Sequence, residues 1–193
     1  VYHICYLLTP TRFLWVMPES YGLVGLKAKL LSFYINYLKR WDYIAARRPD
    51  KIISISKTVH DRCLKIYHLP SEVIYPPFDY EYWSKITNTL KKNNWKIGKK
   101  FSEIKNKKFF LTVSRLERYK MVDLVIKTFN KINETIIIVG KGSQENQLKK
   151  MVKKKEIYFY KDLTDEKLGY LYQKADALIM PQEEDFGFVA LES

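Results

Sequence analysis

The chain has 193 residues, 47% hydrophobic and 15% aromatic, and a formal net charge of +13 from 34 basic and 21 acidic residues. That apolar content excludes a disordered tail, and the length allows one large domain or two small ones with an ample core. The longest apolar runs fall far short of a bilayer span, and Cys5 and Cys63 make neither a metal-ligand spacing nor a disulfide framework, which suits a reducing cytoplasm. No metal site is expected. A basic balance is compatible with nucleic acid, an anionic membrane surface or anionic small substrates. The lysines fall in runs, such as Lys107-Lys108 and Lys153-Lys154-Lys155, without the aromatic and glycine interleaving of RNA-binding modules. They are read first as solvated faces and second as a membrane-facing surface, and a nucleic-acid-binding module rests on charge alone. The chain begins at Val1 without methionine and stops one residue after Glu192, inside an expected helix, so it is expected to be an internal piece of a longer one.

Residues 1–8 form an apolar run of strand length that stops at Thr9-Pro10. Residues 23–48 carry apolar side chains at roughly helical spacing, which predicts one long or two consecutive amphipathic helices. The aromatic stripe there (Tyr34, Tyr37, Trp41, Tyr43) is expected to pack into the core, with interfacial membrane docking as the second reading. Residues 51–56 predict a short strand, and Ser56 an N-cap for a helix running to about Tyr67. A strand at 72–75 is halted by Pro76-Pro77, whose stiffness suits a domain crossover. Residues 80–108, rich in lysine and asparagine and weakly periodic, predict a linker or flexible insertion.

From Phe109 the pattern changes to regular alternation. Strands are predicted at 109–113, 135–139, 157–160 and 177–180, and helices at about 121–130, 143–155, 166–174 and from about 187. That order is the signature of a doubly wound parallel sheet. The loop after the first of these strands, Ser114 to Lys120, carries three cations, and a strand end, basic loop and helix start is where an open α/β sheet binds phosphates. Arg115 can fork across two phosphate oxygens, and Lys120 supplies a mobile point charge. Gly140 and Gly142 after the second strand let backbone approach a ligand or simply turn tightly. At the last strand the chain reads Glu184-Asp185-Phe186-Gly187-Phe188-Val189, with Glu192 eight positions beyond Glu184. A helix starting near Gly187 would aim the N–H groups of Gly187, Phe188 and Val189 at an anion, while the two glutamates could accept hydrogen bonds from neutral hydroxyls. Phosphate and polyol recognised together suggest a nucleotide-sugar site. The plainer reading has Glu184 and Asp185 capping the helix and Glu192 facing solvent.

Arg115-Leu116-x-x-x-Lys120, Gly140-x-Gly142 and Glu184-x7-Glu192, in that order, resemble the motifs of the retaining group-1 (family 4) glycosyltransferases of the GT-B fold. His3-Ile4-Cys5-Tyr6 followed by Thr9-Pro10-Thr11-Arg12 is similar to a family stretch written Cys-Tyr-Cys-His-Thr-Pro-x-Arg-Tyr, and Trp41-Asp42 through Asp79 to the family's approach to its interdomain linker. The resemblance implies an α/β, GT-B-like chain. Residues 1–75 would end a Rossmann-like acceptor domain, 76–108 would be linker and insertion, and 109–193 a doubly wound donor-binding domain. It implies transfer of a hexose, leaning to mannose, from a nucleotide diphosphate sugar to a saccharide or lipid-linked acceptor with retention, without metal or further cofactor. Arg115 and Lys120 would clamp the diphosphate, Glu184 would read the sugar and Glu192 the ribose, and Gly140, Gly142 and the 187–189 helix end would line the donor. Backbone near Lys161–Leu163 would meet the base, and Arg12 would hold an anionic acceptor group. Such a protein works in the cytoplasm, in reach of the membrane face. Where the family carries a histidine this chain has Leu8, the departure that favours the alternative of a relative that binds nucleotide sugars without transferring them.

Overall fold

Two parallel sheets organise the computed structural model, which describes residues 1–22, 25–92, 101, 104 and 107–193. They belong to two compact units, one of Val1–Pro77 with Glu184–Phe186, the other of Phe78–Glu183 with Gly187–Ser193.

In the first unit, β1 (Ile4–Leu7), β2 (Lys51–Ser54) and β3 (Glu72–Val73) pair in that order. The β1–β2 register runs from Ile4 opposite Lys51 to Leu7 opposite Ser54. A π-helical turn, Arg12–Val16, and a 3-10 turn, Pro18–Tyr21, follow β1. The expected helical stretch is two helices, α1 (Gly25–Leu30) and α2 (Ser32–Ala45), and its first two residues, 23–24, lie outside the described residues. α3 (Lys57–Tyr67) starts as its sequence predicts, with Ser56 Oγ accepting from the Val59 N–H at 3.1 Å.

These elements converge on one carboxylate. Asp42 of α2 accepts from Thr11 Oγ1 at 2.6 Å, from Trp15 Nε1 at 2.7 Å and from the Tyr67 hydroxyl at 2.7 Å. Burial, with Asp42 alongside, pushes the Tyr67 phenol well above its ordinary range, so it stays a donor. The opposite side of α2 corrects an expectation. Tyr34, Tyr37 and Trp41, read as core, are exposed, and Phe33 and Ile44 are exposed with them. A three-stranded sheet has room for one side of the helix, so only Tyr43 of that stripe is half-buried, its ring under the Arg47 guanidinium at 3.5 Å.

In the second unit the strands are β4 (Phe110–Val113), β5 (Ile136–Val139), β6 (Ile157–Tyr160) and β7 (Ala177–Leu178), all parallel, in the order β6-β5-β4-β7. The helices between them are α5 (Val122–Phe129), α6 (Glu145–Met151) and α7 (Asp165–Lys174), and α8 (Phe188–Glu192) follows β7. Four consecutive apolar residues make β5 because both of its faces are covered. Ile136 and Ile138 join Val125, Ile126 and Phe129 of α5, while Ile137 and Val139 join Leu111 and Leu171 on the other face. The doubly wound architecture is therefore as predicted, although α6 and β7 are shorter than their expected ranges.

The stretch expected as linker differs. Residues Tyr80–Lys92 form a helix, α4, while residues 93–100, 102–103 and 105–106 of that stretch lie outside the described residues. Asp79 Oδ1 caps it, accepting from the Tyr82 N–H at 2.9 Å. Its Trp83, Ile86 and Leu90, at helical spacing, face α7, where the Trp83 and Tyr172 rings meet edge-on at 5.9 Å. Gly169 of α7 makes room for Ile86, whose methyl lies 2.8 Å from where a Cβ would stand. Lysine and asparagine on the outer face hide this stripe in the composition.

Replacing Asp42 with alanine is expected to cost about 3 kcal/mol or more, since several donors lose a partially buried acceptor at once. Asp42→Asn, which keeps one acceptor oxygen, should cost less. Urea denaturation midpoints of the two variants and the wild type check both statements.

Candidate functional site

In the second unit the chain runs from β4 outward through β5 to β6, then returns to place β7 on the other side of β4. The carboxyl ends of β4 and β7 thus flank a topological switch point, the position at which open α/β sheets take ligands. The loop carrying Arg115 and Lys120 leaves the first of these strands, and the segment reaching Gly187, Phe188 and Val189 follows the second. Thr112 Oγ1, buried on β4, ties the two by donating to the Ile179 carbonyl at 3.0 Å.

The β4 loop is held in place by its neighbour. The Leu116 N–H donates to the Lys141 carbonyl at 3.0 Å, and the Leu116 carbonyl accepts from the Gln144 N–H at 2.9 Å. This pairing works only because residues 140 and 142 lack side chains. A Cβ on Gly140, whose φ is 153°, would stand 1.8 Å from the Ser114 carbonyl oxygen, and one on Gly142 would stand 2.4 Å from that of Leu116. Both glycines therefore seat the cationic loop. Glu117 adds a second tie, its carboxylate accepting from the Ser143 N–H at 2.9 Å and hydroxyl at 2.7 Å. Those bonds hold its carboxyl below the usual carboxylate range.

Within the loop, Arg115 Nη2 donates to the Tyr119 hydroxyl, and its guanidinium lies 5.8 Å from the centre of that ring. Lys120 Nζ lies 5.4 Å from the same ring. One aromatic side chain thus gathers the two predicted cations. Lys120 closes a 3-10 turn, Arg118–Lys120, and Met121 after it is left-handed at φ 53°, unusual for a residue with a side chain. Ser114 Oγ is buried at the start of the loop with no hydrogen-bond partner among the described residues.

On the β7 side, Gly187 is left-handed at φ 85° and ψ 51° and starts α8. Phe188 is exposed, and Val189 packs on the core beneath β4. Glu192 Oε2 accepts from the Tyr172 hydroxyl at 2.9 Å, which orients its carboxylate. Burial, reinforced by Glu192, pushes the Tyr172 phenol far up and keeps it a donor. At the ends of β5 and β6, Gly140, Tyr160 and Lys161 line a cleft of about 240 Å³ with Glu145, Lys149 and Phe159. Glu145 binds Lys149 at 2.7 Å and Lys161 at 3.2 Å, and both cations hold its carboxyl low.

Glu184 and Arg12 belong to the first unit. Arg12 pairs there with Asp185, which also pairs with Arg62, so the guanidinium assigned to an acceptor anion has a carboxylate partner in the chain itself. Glu117, Tyr119, Tyr172 and Arg62 escaped the sequence reading, and Asp185, read there as a helix cap, is not one: Gly187 takes the cap position of α8 with no side-chain cap bond. Their roles depend on partners brought by the fold, and Ser143 beside a glycine pair was the only local hint for any of them.

A parallel α/β chain in two units, with a cationic loop and a glycine-containing helix start at one switch point, has the architecture of the GT-B class. Residues 93–193 match the family described as Glycosyl transferases group 1, and the chain belongs to that family. It is 28% identical over 168 residues to the O-antigen chain mannosyltransferase RfbU of Salmonella typhimurium, a match spanning 83% of this chain and 43% of that one. It is 35% identical over 78 residues to the alpha-1,3/1,6-mannosyltransferase ALG2 of Candida albicans, spanning 40% of this chain and 16% of that one. Its fold is similar to that of Anabaena HepE (Alr3699), solved in complex with UDP-glucose, with a TM-score of 0.54, 19% identity, and coverage of 72% of this chain and 40% of HepE. The chain thus spans less than half the length of the curated relatives it matches.

Gly142→Ala is expected to cost about 1–3 kcal/mol, the usual price of forcing atoms into filled space. It should also speed hydrogen exchange at the Leu116 and Gln144 amides, because their loops must part. An unchanged melting temperature with unchanged exchange would show that the two loops are not held by this contact.

Proposed function

We propose that the protein containing this chain transfers a hexose, mannose by preference, from a nucleoside diphosphate sugar to a saccharide or lipid-linked acceptor, with retention at the anomeric carbon. The observation that carries this reading is the pair of cations, Arg115 and Lys120, gathered on Tyr119 at the switch point of a parallel sheet. The reaction breaks the bond between the anomeric carbon and the diphosphate oxygen and forms one to the acceptor hydroxyl, whose proton leaves. Negative charge therefore develops on the diphosphate, and fixed cations there lower the barrier. Arg115 binds the phosphates through its fork and Lys120 by charge, with the N–H groups of Gly187, Phe188 and Val189 assisting. Gly140 and Gly142 hold the loop at the distance this requires. Glu184 recognises sugar hydroxyls and Glu192, oriented by Tyr172, the ribose. The base sits near Lys161–Leu163.

The mannose preference draws on the two similar mannosyltransferases, and the use of a nucleotide sugar is supported by the UDP-glucose complex of HepE. Among the described residues no helix is long and apolar enough to cross a membrane. A lipid-linked acceptor at the cytoplasmic membrane face suits the exposed Phe33, Tyr37 and Trp41 of α2 beside Arg40. Two side-chain cations can neutralise the diphosphate without a metal ion.

Calorimetric titration of the full-length protein with UDP, GDP and their sugar conjugates tests the donor site and identifies the base. Arg115→Ala and Lys120→Ala should each weaken the preferred nucleoside diphosphate about 10-fold or more, the scale of a lost charge-assisted bond, while the nucleoside changes less. Equal weakening of both ligands would remove the clamp assignment. Glu184→Ala should spare the free diphosphate and weaken the sugar-bearing donor. Transfer rates should be unchanged in excess chelator, and a loss restored by a divalent cation would refute the metal-independent reading.

A further inference from the structure

Asp185 lies between Glu184 and the Phe186-Gly187 pair, and it is held more firmly than any acid on a surface loop requires. Arg12 donates to its Oδ2, Arg62 to its Oδ1, and Ser56 Oγ donates to its backbone carbonyl. All four residues belong to the same unit. Arg12 comes from the turn after β1, and Ser56 and Arg62 from the start and middle of α3, so two separate elements grip one residue. The charged side chains retain only 13–18% exposure, which makes their hydrogen-bond geometry strict and the loss of one partner costly. One residue further on, the Phe186 ring rests against Tyr75 with centroids 6.1 Å apart. The backbone on the C-terminal side of Glu184 is therefore fixed through a carboxylate, a carbonyl and a ring.

We propose that Asp185 is a positioning residue, and that the grip of Arg12, Arg62 and Ser56 on it sets the orientation of Glu184 toward the donor sugar. The inference rests on the proposed role of Glu184 as the reader of sugar hydroxyls. A carboxylate that must meet specific hydroxyls benefits from support that locks its backbone, because small misplacements weaken recognition steeply. Arg12 then serves the donor's recognition through Asp185 and has no need of an acceptor anion.

The test uses the full-length protein and steady-state transfer with the preferred nucleotide sugar, beside titration with the free nucleoside diphosphate. Asp185→Asn, folded by circular dichroism, is expected to lower kcat/KM at least 10-fold while changing nucleoside diphosphate affinity less than 2-fold. Arg62→Gln should do the same, and Arg62→Lys should recover part of the loss. In a Glu184→Ala background Asp185→Asn should add less than 2-fold, since the residue it positions is gone. Multiplying losses in the double variant, equal weakening of both ligands, or wild-type transfer by Asp185→Asn would each overturn the inference. Should Asp185→Asn fail to fold, the two Arg62 variants carry the same comparison. If Glu184→Ala itself transfers normally, the role of Glu184 falls, a result distinct from an intact Glu184 effect with no coupling to Asp185.

Discussion

The second unit depends on a contact that two side chains would forbid. The Leu116 carbonyl reaches the Gln144 N–H, and the Ser114 carbonyl lies against the backbone of residue 140, only because positions 140 and 142 are glycine. Without that approach the loop after β4 would keep the buried Leu116 side chain and the Glu117–Ser143 tie, while its own residues make one short 3-10 turn and a left-handed Met121. The rest of the loop's order follows from the same seam. Glu117 reaches across it to Ser143, and Tyr119, set by the turn, collects Arg115 and Lys120. A glycine pair after a strand can serve a ligand directly or serve a neighbouring loop. Here its Cβ positions are already occupied by that loop's backbone, so the pair serves the neighbouring loop.

The first unit solves a different problem with carboxylates. Its sheet has three strands, one of them of two residues, and its longest helix, α2, has no buried residue. Directional bonds take over where area is scarce. Asp42 fixes α2 to the turn after β1 and to the end of α3, and Asp185 fixes the 184–186 segment to the same two neighbours through Arg12, Arg62 and Ser56. Each acid would be costly to bury alone, and each is compensated by several donors. Such sites are specific because a half-satisfied version of either is worse than none.

What could be read from the sequence was whatever a short window contains. The run Ile136–Val139 announces a strand covered on both faces, and the alternation after Phe109 announces the doubly wound sheet. Arg115 and Lys120 stand out because cations directly after an apolar strand have one obvious use. α4 was hidden by its polar composition, though Asp79 before Trp83, Ile86 and Leu90 is a cap followed by a helical stripe. The exposed side of α2 could not be anticipated, because an amphipathic pattern does not say how wide a sheet awaits it. Asp185 was visible only as a helix cap, and its pairing was out of reach: its arginine partners lie 173 and 123 positions away, and no periodicity links them.

The net charge of +13 says less than the way single cations are held. Lys127 with Asp123 and Lys141 with Asp162 are exposed surface pairs whose contribution to stability is small and falls with salt. Arg12 and Arg62 share one enclosed carboxylate, that of Asp185. Arg115 is held otherwise, by a phenol hydroxyl and a ring, neutral groups that orient a guanidinium without cancelling its charge. The Glu117 carboxylate feels the Arg115 charge and is itself hydrogen-bonded to the Ser143 N–H and hydroxyl. The three arginines differ in setting because they differ in partner, and the partner is decided by which loop the fold lays beside them.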